Sequence, residues 1–180
     1  MRKLILYIAA SLDGFIARDD GGLLWLEQFP NPDKNDYNYK KLLDSIDTTF
    51  MGNLTYKWLN NQNIYDPYPG KKNYVFSRNM RSESEFVEFI NDDPLKFVRT
   101  IKNQNGKDIW LVGGGKLNAL FLQNNLIDEI ILTFAPIIIG KGIRLFGDIN
   151  IDLENKFRLL NNESFKSGFV QLHYAKDNAG

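Results

Sequence analysis

Short apolar runs separated by turn signals set the pattern of this chain. They predict strands over Lys3–Ala10, Thr48–Met51, Asn73–Ser77, Phe86–Ile90, Asp108–Val112, Glu129–Phe134, Phe157–Ser164 and Phe169–Ala175. Ile109-Trp110-Leu111-Val112 lacks polar alternation, as a central strand buried on both faces would. The last two runs flank Lys166-Ser167-Gly168 and read as an antiparallel hairpin. Helical spacing appears in Pro94–Asn103, where Leu95, Val98 and Ile101 recur behind Asp92-Asp93 and a Pro at the first helical position. It appears again in Lys116–Gln123 through Leu117, Leu120 and Phe121, in Tyr39–Ser45, and briefly in Thr55–Leu59. Pro30–Asn38 and Asn60–Lys72 are polar, proline-bearing loops. Strands alternating with helices and closed by a hairpin predict an α/β fold: a mainly parallel central sheet, flanking helices and an antiparallel C-terminal edge. At 180 residues, one domain spanning 1–180 is expected.

Arg2 and Lys3 before the apolar run Leu4–Ala10 imitate a signal peptide. The run is at the short limit for one and leads into the turn Ser11-Leu12-Asp13-Gly14, so it reads as a buried strand. No stretch approaches the roughly 18 apolar residues of a membrane span. Composition narrows the chemistry. Cys is absent, which excludes disulfides, thiolate metal sites and a Cys nucleophile. A single His, His173, speaks against His-clustered metal sites and a Ser-His-Asp triad, and no metal is expected. Lys plus Arg equals Asp plus Glu at 22 each, so no basic field for nucleic acid or anionic membrane exists. The picture is a cytoplasmic domain whose reaction is carried by a cofactor.

Two glycine motifs point to that cofactor. Gly113-Gly114-Gly115-Lys116 joins a buried strand to a helix, where backbone N–H groups and the helix terminus suit a phosphate; a tight turn needing positive φ is the competing reading. Leu117 in place of Ser or Thr excludes a Walker A loop, and Asn118 breaks a G-x-G-x-x-G fingerprint. Phe50-Met51-Gly52-Asn53-Leu54-Thr55 repeats the strand-to-helix arrangement, with a simple capped helix as the alternative.

Met51-Gly52-x-x-Thr55, Lys71-Lys72-Asn73-Tyr74-Val75-Phe76-Ser77-Arg78 and Val112-Gly113-Gly114-Gly115, in this order, resemble the dihydrofolate reductase superfamily. Ala10-Ser11-Leu12-Asp13-Gly14-Phe15-Ile16-Ala17 and Ala135-Pro136-Ile137-Ile138-Ile139-Gly140-Lys141-Gly142 are similar to the C-terminal reductase domain of the bacterial riboflavin-biosynthesis deaminase-reductase and its stand-alone relatives. The resemblance covers Lys3 to Ala175 and implies a dihydrofolate reductase-like sheet that binds NADPH. It places Gly113, Gly114, Gly115, Lys116 and Leu117 on the pyrophosphate, with Gly52, Asn53 and Thr55 opposite. Asn53 stands where those reductases usually carry Arg. Ser77 and Arg78 would face the 2′-phosphate, and Ala9, Ile16 and Ala17 the nicotinamide.

The same resemblance implies a proton donor sixteen positions before Gly52, which is Asp36, with Thr133 as its hydroxyl partner. Asp13, Glu27 and Asp33 compete for the role, and Trp25 would border the substrate. Lys71, Lys141 and Arg144 are candidates for a ribosyl phosphate. The implied activity is NADPH-dependent reduction of a small nitrogen heterocycle, an aminopyrimidine or a pterin, by a homodimer. The apolar run Phe134–Ile139 supports the dimer, being long for a strand with one face in water. The alternative is a catalytically silent NADPH-binding or sensing module.

Overall fold

The computed structural model describes residues 1–78, 84–147 and 156–177. Its centre is an eight-stranded sheet in the order β5-β4-β3-β6-β1-β7-β10-β9. Strands β1 (Leu4–Ser11), β3 (Ile46–Gly52), β4 (Lys72–Phe76), β5 (Glu88–Ile90), β6 (Asp108–Gly113) and β7 (Glu129–Ala135) run parallel. The hairpin β9 (Phe157–Ser164) and β10 (Val170–Lys176) adds an antiparallel edge to β7. A two-stranded ribbon, β2 (Phe15–Ala17) with β8 (Ile143–Arg144), lies apart from this sheet.

Alternation along the strands sends side chains to two helical layers. Leu4, Leu6, Phe50, Ile109 and Leu111 pack with α4 (Pro94–Lys102) and α5 (Gly115–Gln123) through Val98, Ile101 and Phe121. On the other face Ile5, Ile46 and Trp110 meet Leu42 of α2 (Tyr39–Ser45), and Met51 and Val75 meet Tyr56 and Leu59 of α3 (Asn53–Asn61). Helix α4 starts as its sequence predicts, with Asp93 capping the Leu95 amide at 2.9 Å and Pro94 in the first turn.

The N-terminal ends of the strands are fixed by buried charge. Arg2 pairs with Asp47 and donates to Thr48 Oγ1 at 2.7 Å. Lys102, only 5% exposed, donates to the Leu126 carbonyl at 2.8 Å and pairs with Asp128. At the start of β7, Glu129 accepts from Lys3 Nζ at 2.7 Å and meets His173 Nε2 at 2.8 Å. The His173 bond, opposed by desolvation and helped by Lys3, lowers the Glu129 carboxyl from 4.5 to about 2. A folded-state pKa below the unfolded one gives stability that is full above about 4.5 and is lost as pH falls toward about 2. Wild type is therefore expected to lose stability across that window more steeply than Glu129→Gln in urea titrations. The difference should be about 1.5–3 kcal/mol, the size of a hydrogen bond to a charged group. Parallel pH profiles would assign the acid loss to other carboxylates.

Candidate active site

The connections of the sheet place the crevice. The chain leaves β3 through α3 toward β4, and leaves the adjacent β6 through α5 toward β7, in the opposite direction. Ligands of open α/β sheets bind outside the strand ends where such directions diverge. Both glycine motifs lie at this point. Gly52 is the N-cap of α3 and Gly114 the N-cap of α5, and neither end has a side-chain cap. The first amides of each helix have no intrahelical acceptor, so two partly positive helix ends flank one crevice.

The two turns approach closely. Thr55 Oγ1 reaches the Gly113 carbonyl at 3.4 Å, and a Cβ on Gly52 would lie 3.7 Å from that same oxygen. Gly113 and Gly114 have φ of +122° and +109°, which disfavour a side chain. Cβ atoms there would meet Ile8 at 3.1 Å and Thr55 Oγ1 at 3.5 Å. Gly115 has a different reason to be glycine: a Cβ would sit 2.2 Å from the Arg144 carbonyl, so α5 begins directly against β8. Asn118, fully buried, reinforces that contact by donating to the Leu145 carbonyl at 2.8 Å. Leu117 departs from the expectation of a cofactor contact, since its side chain joins the core and its amide bonds to the Gly114 carbonyl. Lys116 is exposed at the mouth of the turn. Asn53 is partly buried, and its Oδ1 is buried without a partner in the described residues, an acceptor left at the first position of α3. Ser77 is buried at the end of β4 with its amide on the Ile90 carbonyl, and Arg78 next to it is exposed.

A second opening starts beside β1. Pairing of β1 with β6 stops at Leu6–Leu111, whereas pairing with β7 continues through Ala9–Thr133 to Ser11–Ala135. Trp110 Nε1 takes the Tyr7 carbonyl at 3.0 Å where the strands part. Ala9 and Ile16 are partly exposed near this end, and Ala17 is buried under the ribbon, where its carbonyl closely faces Gly142.

Asp36 and Thr133 are not joined. The Asp36 carboxylate is exposed and caps α2, accepting from the Asn38 and Lys40 amides at 3.1 and 3.0 Å. Thr133 Oγ1 instead accepts from Gln171 Nε2 at 2.9 Å. Gln171 also donates to the Tyr37 carbonyl at 2.7 Å and accepts from Asn38 Nδ2 at 2.8 Å. Tyr7 Oη donates to the same Tyr37 carbonyl at 2.9 Å; burial, then the charge of Asp36, raises its phenol and keeps it a donor. These bonds hold Tyr37 and Asn38 at φ of +55° and +67°, a conformation costly for a tyrosine. Gln171 and Tyr7 thus anchor the Tyr37–Asn38 turn beside Thr133 although the sequence did not single them out; the polar Gln171 within an apolar strand was the available signal.

Asp13 is a latch on the β1–β2 turn. It accepts from Ser11 Oγ at 2.6 Å and from the Ile139 and Gly140 amides at 3.2 and 2.7 Å. The Ser11 bond is the chief cause of a carboxyl held below its ordinary range; desolvation opposes it and the two amides add to it. Such a group orients the turn and is a poor proton donor. Trp25 is 4% exposed among Phe15, Ala135, Ile139 and Phe169, and its Nε1 has no acceptor in the described residues. Glu27 is exposed, and Asp33 is bonded to Lys166 at 2.8 Å. Lys71 closes the C-terminal end of α2, donating to the Leu43 and Ile46 carbonyls. The apolar run Phe134–Ile139 is largely used within the fold, with Ala135 and Ile139 buried and Ile138 exposed. No cluster of potential metal ligands, and no helix long and apolar enough to cross a membrane, occurs among the described residues.

This sheet order, with two glycine turns at its switch point, defines the dihydrofolate reductase-like class. The dihydrofolate reductase of Enterococcus faecalis, solved with NADP(H), superposes with a TM-score of 0.70 at 15% identity, covering 98% of this chain and 97% of that one. Within the class, the chain belongs to the RibD C-terminal domain family, a reductase type, which matches residues 2–171. The uncharacterized protein YwjB of Bacillus subtilis (strain 168) is 38% identical over 176 residues, 97% of this chain and 98% of its own length. A putative riboflavin biosynthesis protein from Shewanella sp. PV-4 superposes with a TM-score of 0.87 at 27% identity, covering 98% of this chain and 99% of that one.

Proposed function

We propose that the protein is a cytoplasmic, NADPH-dependent oxidoreductase of a small nitrogen heterocycle, of the type of 5-amino-6-(5-phosphoribosylamino)uracil reductase and dihydrofolate reductase. The observation that carries this reading is the pair of uncapped helix N-termini, at Gly52 and Gly114, facing one switch-point crevice. The residues present fit the cofactor: positive-φ glycines allow close backbone approach to phosphate oxygens, and the orphaned Asn53 Oδ1 beside them is an acceptor for a ribose hydroxyl.

Gly113, Gly114, Lys116, Gly52, Asn53 and Thr55 would hold its phosphates, and Ser77 with Arg78 its adenosine end. Ala9, Ile16 and Ala17 would border the nicotinamide and Trp25 the substrate. The chemistry NADPH would supply when bound there is a hydride for an electrophilic C=N or C=O carbon. Asp36 then provides the proton, directly or by orienting a water, with Thr133 positioned through Gln171. A measurable rate of NADPH oxidation with a panel of pterins and aminopyrimidines supports turnover; saturable NADPH binding without oxidation favours the silent module. The separation of Asp36 from the Thr133 hydroxyl is the observation on the side of that second reading. We also propose a homodimer, which a monomeric mass by light scattering would exclude.

Arg78 is expected to select NADPH. A 2′-phosphate needs a cationic partner, and loss of a charge-assisted contact costs about 1.5–3 kcal/mol. Arg78→Ala should weaken NADPH binding by that amount and leave NADH binding nearly unchanged in calorimetric titrations. Equal losses for the two cofactors would assign Arg78 a structural role.

A further inference from the structure

We infer that Gln171, on the C-terminal hairpin, is the positioning residue for the Asp36 carboxylate; this rests on the reductase reading, with Asp36 as its proton donor, and names the element that presents that acid. Gln171 is 5% exposed within β10. An apolar side chain would fill the same space without burying polar atoms, so an amide there calls for partners. It has three. Its Nε2 donates to the Tyr37 carbonyl at 2.7 Å and to Thr133 Oγ1 at 2.9 Å, and its Oε1 accepts from Asn38 Nδ2 at 2.8 Å. Two of these bonds fall on the two residues that follow Asp36.

Those two residues carry the strain of the turn. Tyr37 and Asn38 stand at φ +55° and +67°, and left-handed residues other than glycine persist where their surroundings hold them. The turn folds the chain so that Asp36 accepts from the Asn38 and Lys40 amides at 3.1 and 3.0 Å. A relaxed turn would swing the Asn38 amide, and with it the carboxylate, out of its place near Tyr7. The rest of the hairpin supports the same segment. Asn38 Nδ2 also donates to Glu163 Oε2 at 3.0 Å, and Lys166 Nζ donates to Asp33 at 2.8 Å. The Tyr37 ring packs on Phe165 and Phe169 at centroid distances of 4.8 and 5.2 Å. Tyr7 Oη adds one bond from the central sheet, to the Tyr37 carbonyl at 2.9 Å. These contacts keep the segment on the hairpin when the Gln171 amide is removed, so the effect falls on the turn and on Asp36.

The test uses the full chain as wild type, Gln171→Met, Asp36→Asn and the double variant. Methionine keeps the length of the side chain and removes its amide. NADPH binding is measured by calorimetry, and kcat and KM by NADPH oxidation with a dihydropterin and with a diaminopyrimidine. Gln171→Met is expected to lower kcat by at least about ten-fold while NADPH affinity stays within about two-fold of wild type. Added to Asp36→Asn, it should change kcat by less than about two-fold, because a residue that acts through another has no separate effect once that other is gone. Gln171→Asn keeps an amide but withdraws it by one carbon; it should behave as Gln171→Met does, and it carries the test if methionine unfolds the chain. The same loss of kcat in both backgrounds, a matching loss of NADPH affinity, or an unchanged kcat overturns the proposal and leaves the reductase reading standing. Full turnover in Asp36→Asn removes the acid and this proposal with it. Absence of NADPH oxidation by the wild type with either compound brings down the reductase reading and the proposal together.

Discussion

Gly114→Ala should abolish most NADPH affinity while Gly115→Ala should damage the fold. Gly114 adopts φ +109°, and its added Cβ would point into the crevice, 3.5 Å from Thr55 Oγ1. Forcing an alanine into that region costs on the order of 1–3 kcal/mol. The relaxed turn would also move the amides that face the phosphates, so a loss of at least about ten-fold in affinity, or about 1.4 kcal/mol, is expected. At Gly115 the obstruction lies behind the turn. A Cβ at 2.2 Å from the Arg144 carbonyl and 3.2 Å from the Gly147 amide cannot be accommodated without displacing β8. Overpacking of backbone against backbone reaches or exceeds the usual range of about 1–3 kcal/mol. Urea unfolding should therefore rank Gly115→Ala as the less stable variant, and NADPH titration of the folded fraction should rank Gly114→Ala as the greater loss in affinity. The reverse ranking would mean that the roles of the two glycines are exchanged.

Asp36→Asn should lower turnover on the true substrate by about 10²–10⁴-fold, the range of general acid–base catalysis, with NADPH affinity unchanged. Hydride addition to C=N leaves a nitrogen that must be protonated. Asp36 is a carboxyl close enough to Tyr7 for its charge to act on the phenol. Asparagine is the informative replacement because it caps a helix about as well as aspartate. In Asp36→Asn the amide oxygen still accepts one of the two amides at the start of α2, whereas Asp36→Ala loses both and would confound the result with about 1 kcal/mol of lost capping. Full turnover in Asp36→Asn would move the proton to solvent or to another group. Asp13 is a weak replacement, since its three donors hold it as a carboxylate.

The long parallel strands, α4 and the C-terminal hairpin were legible because burial repeats over enough residues to show a period. The four-residue helix α1 (Leu24–Glu27) and the ribbon strands β2 and β8 have no such length. Helix α3 begins at Asn53, where the strand-to-helix motif after Gly52 placed it, although helical spacing alone showed only Thr55–Leu59 because Leu54 is 69% exposed. The triple glycine was visible, but its division of labour was not: sequence spacing cannot show that Gly115 meets β8. The family resemblance likewise implied Thr133 as the partner of Asp36, whereas Gln171, 38 residues beyond Thr133, occupies that hydroxyl. Lys71 read as a free cation because its targets, the carbonyls ending α2, exist only once the helix is packed.

The central claim is that the crevice between Gly52 and Gly114 holds the phosphates of NADPH, and hydrogen exchange of backbone amides with and without NADPH tests it most directly. The account predicts new protection concentrated at Asn53–Thr55 and Gly114–Lys116, with a smaller effect at Ser77 and Arg78. Protection confined to other segments, or none at saturating NADPH, would contradict it.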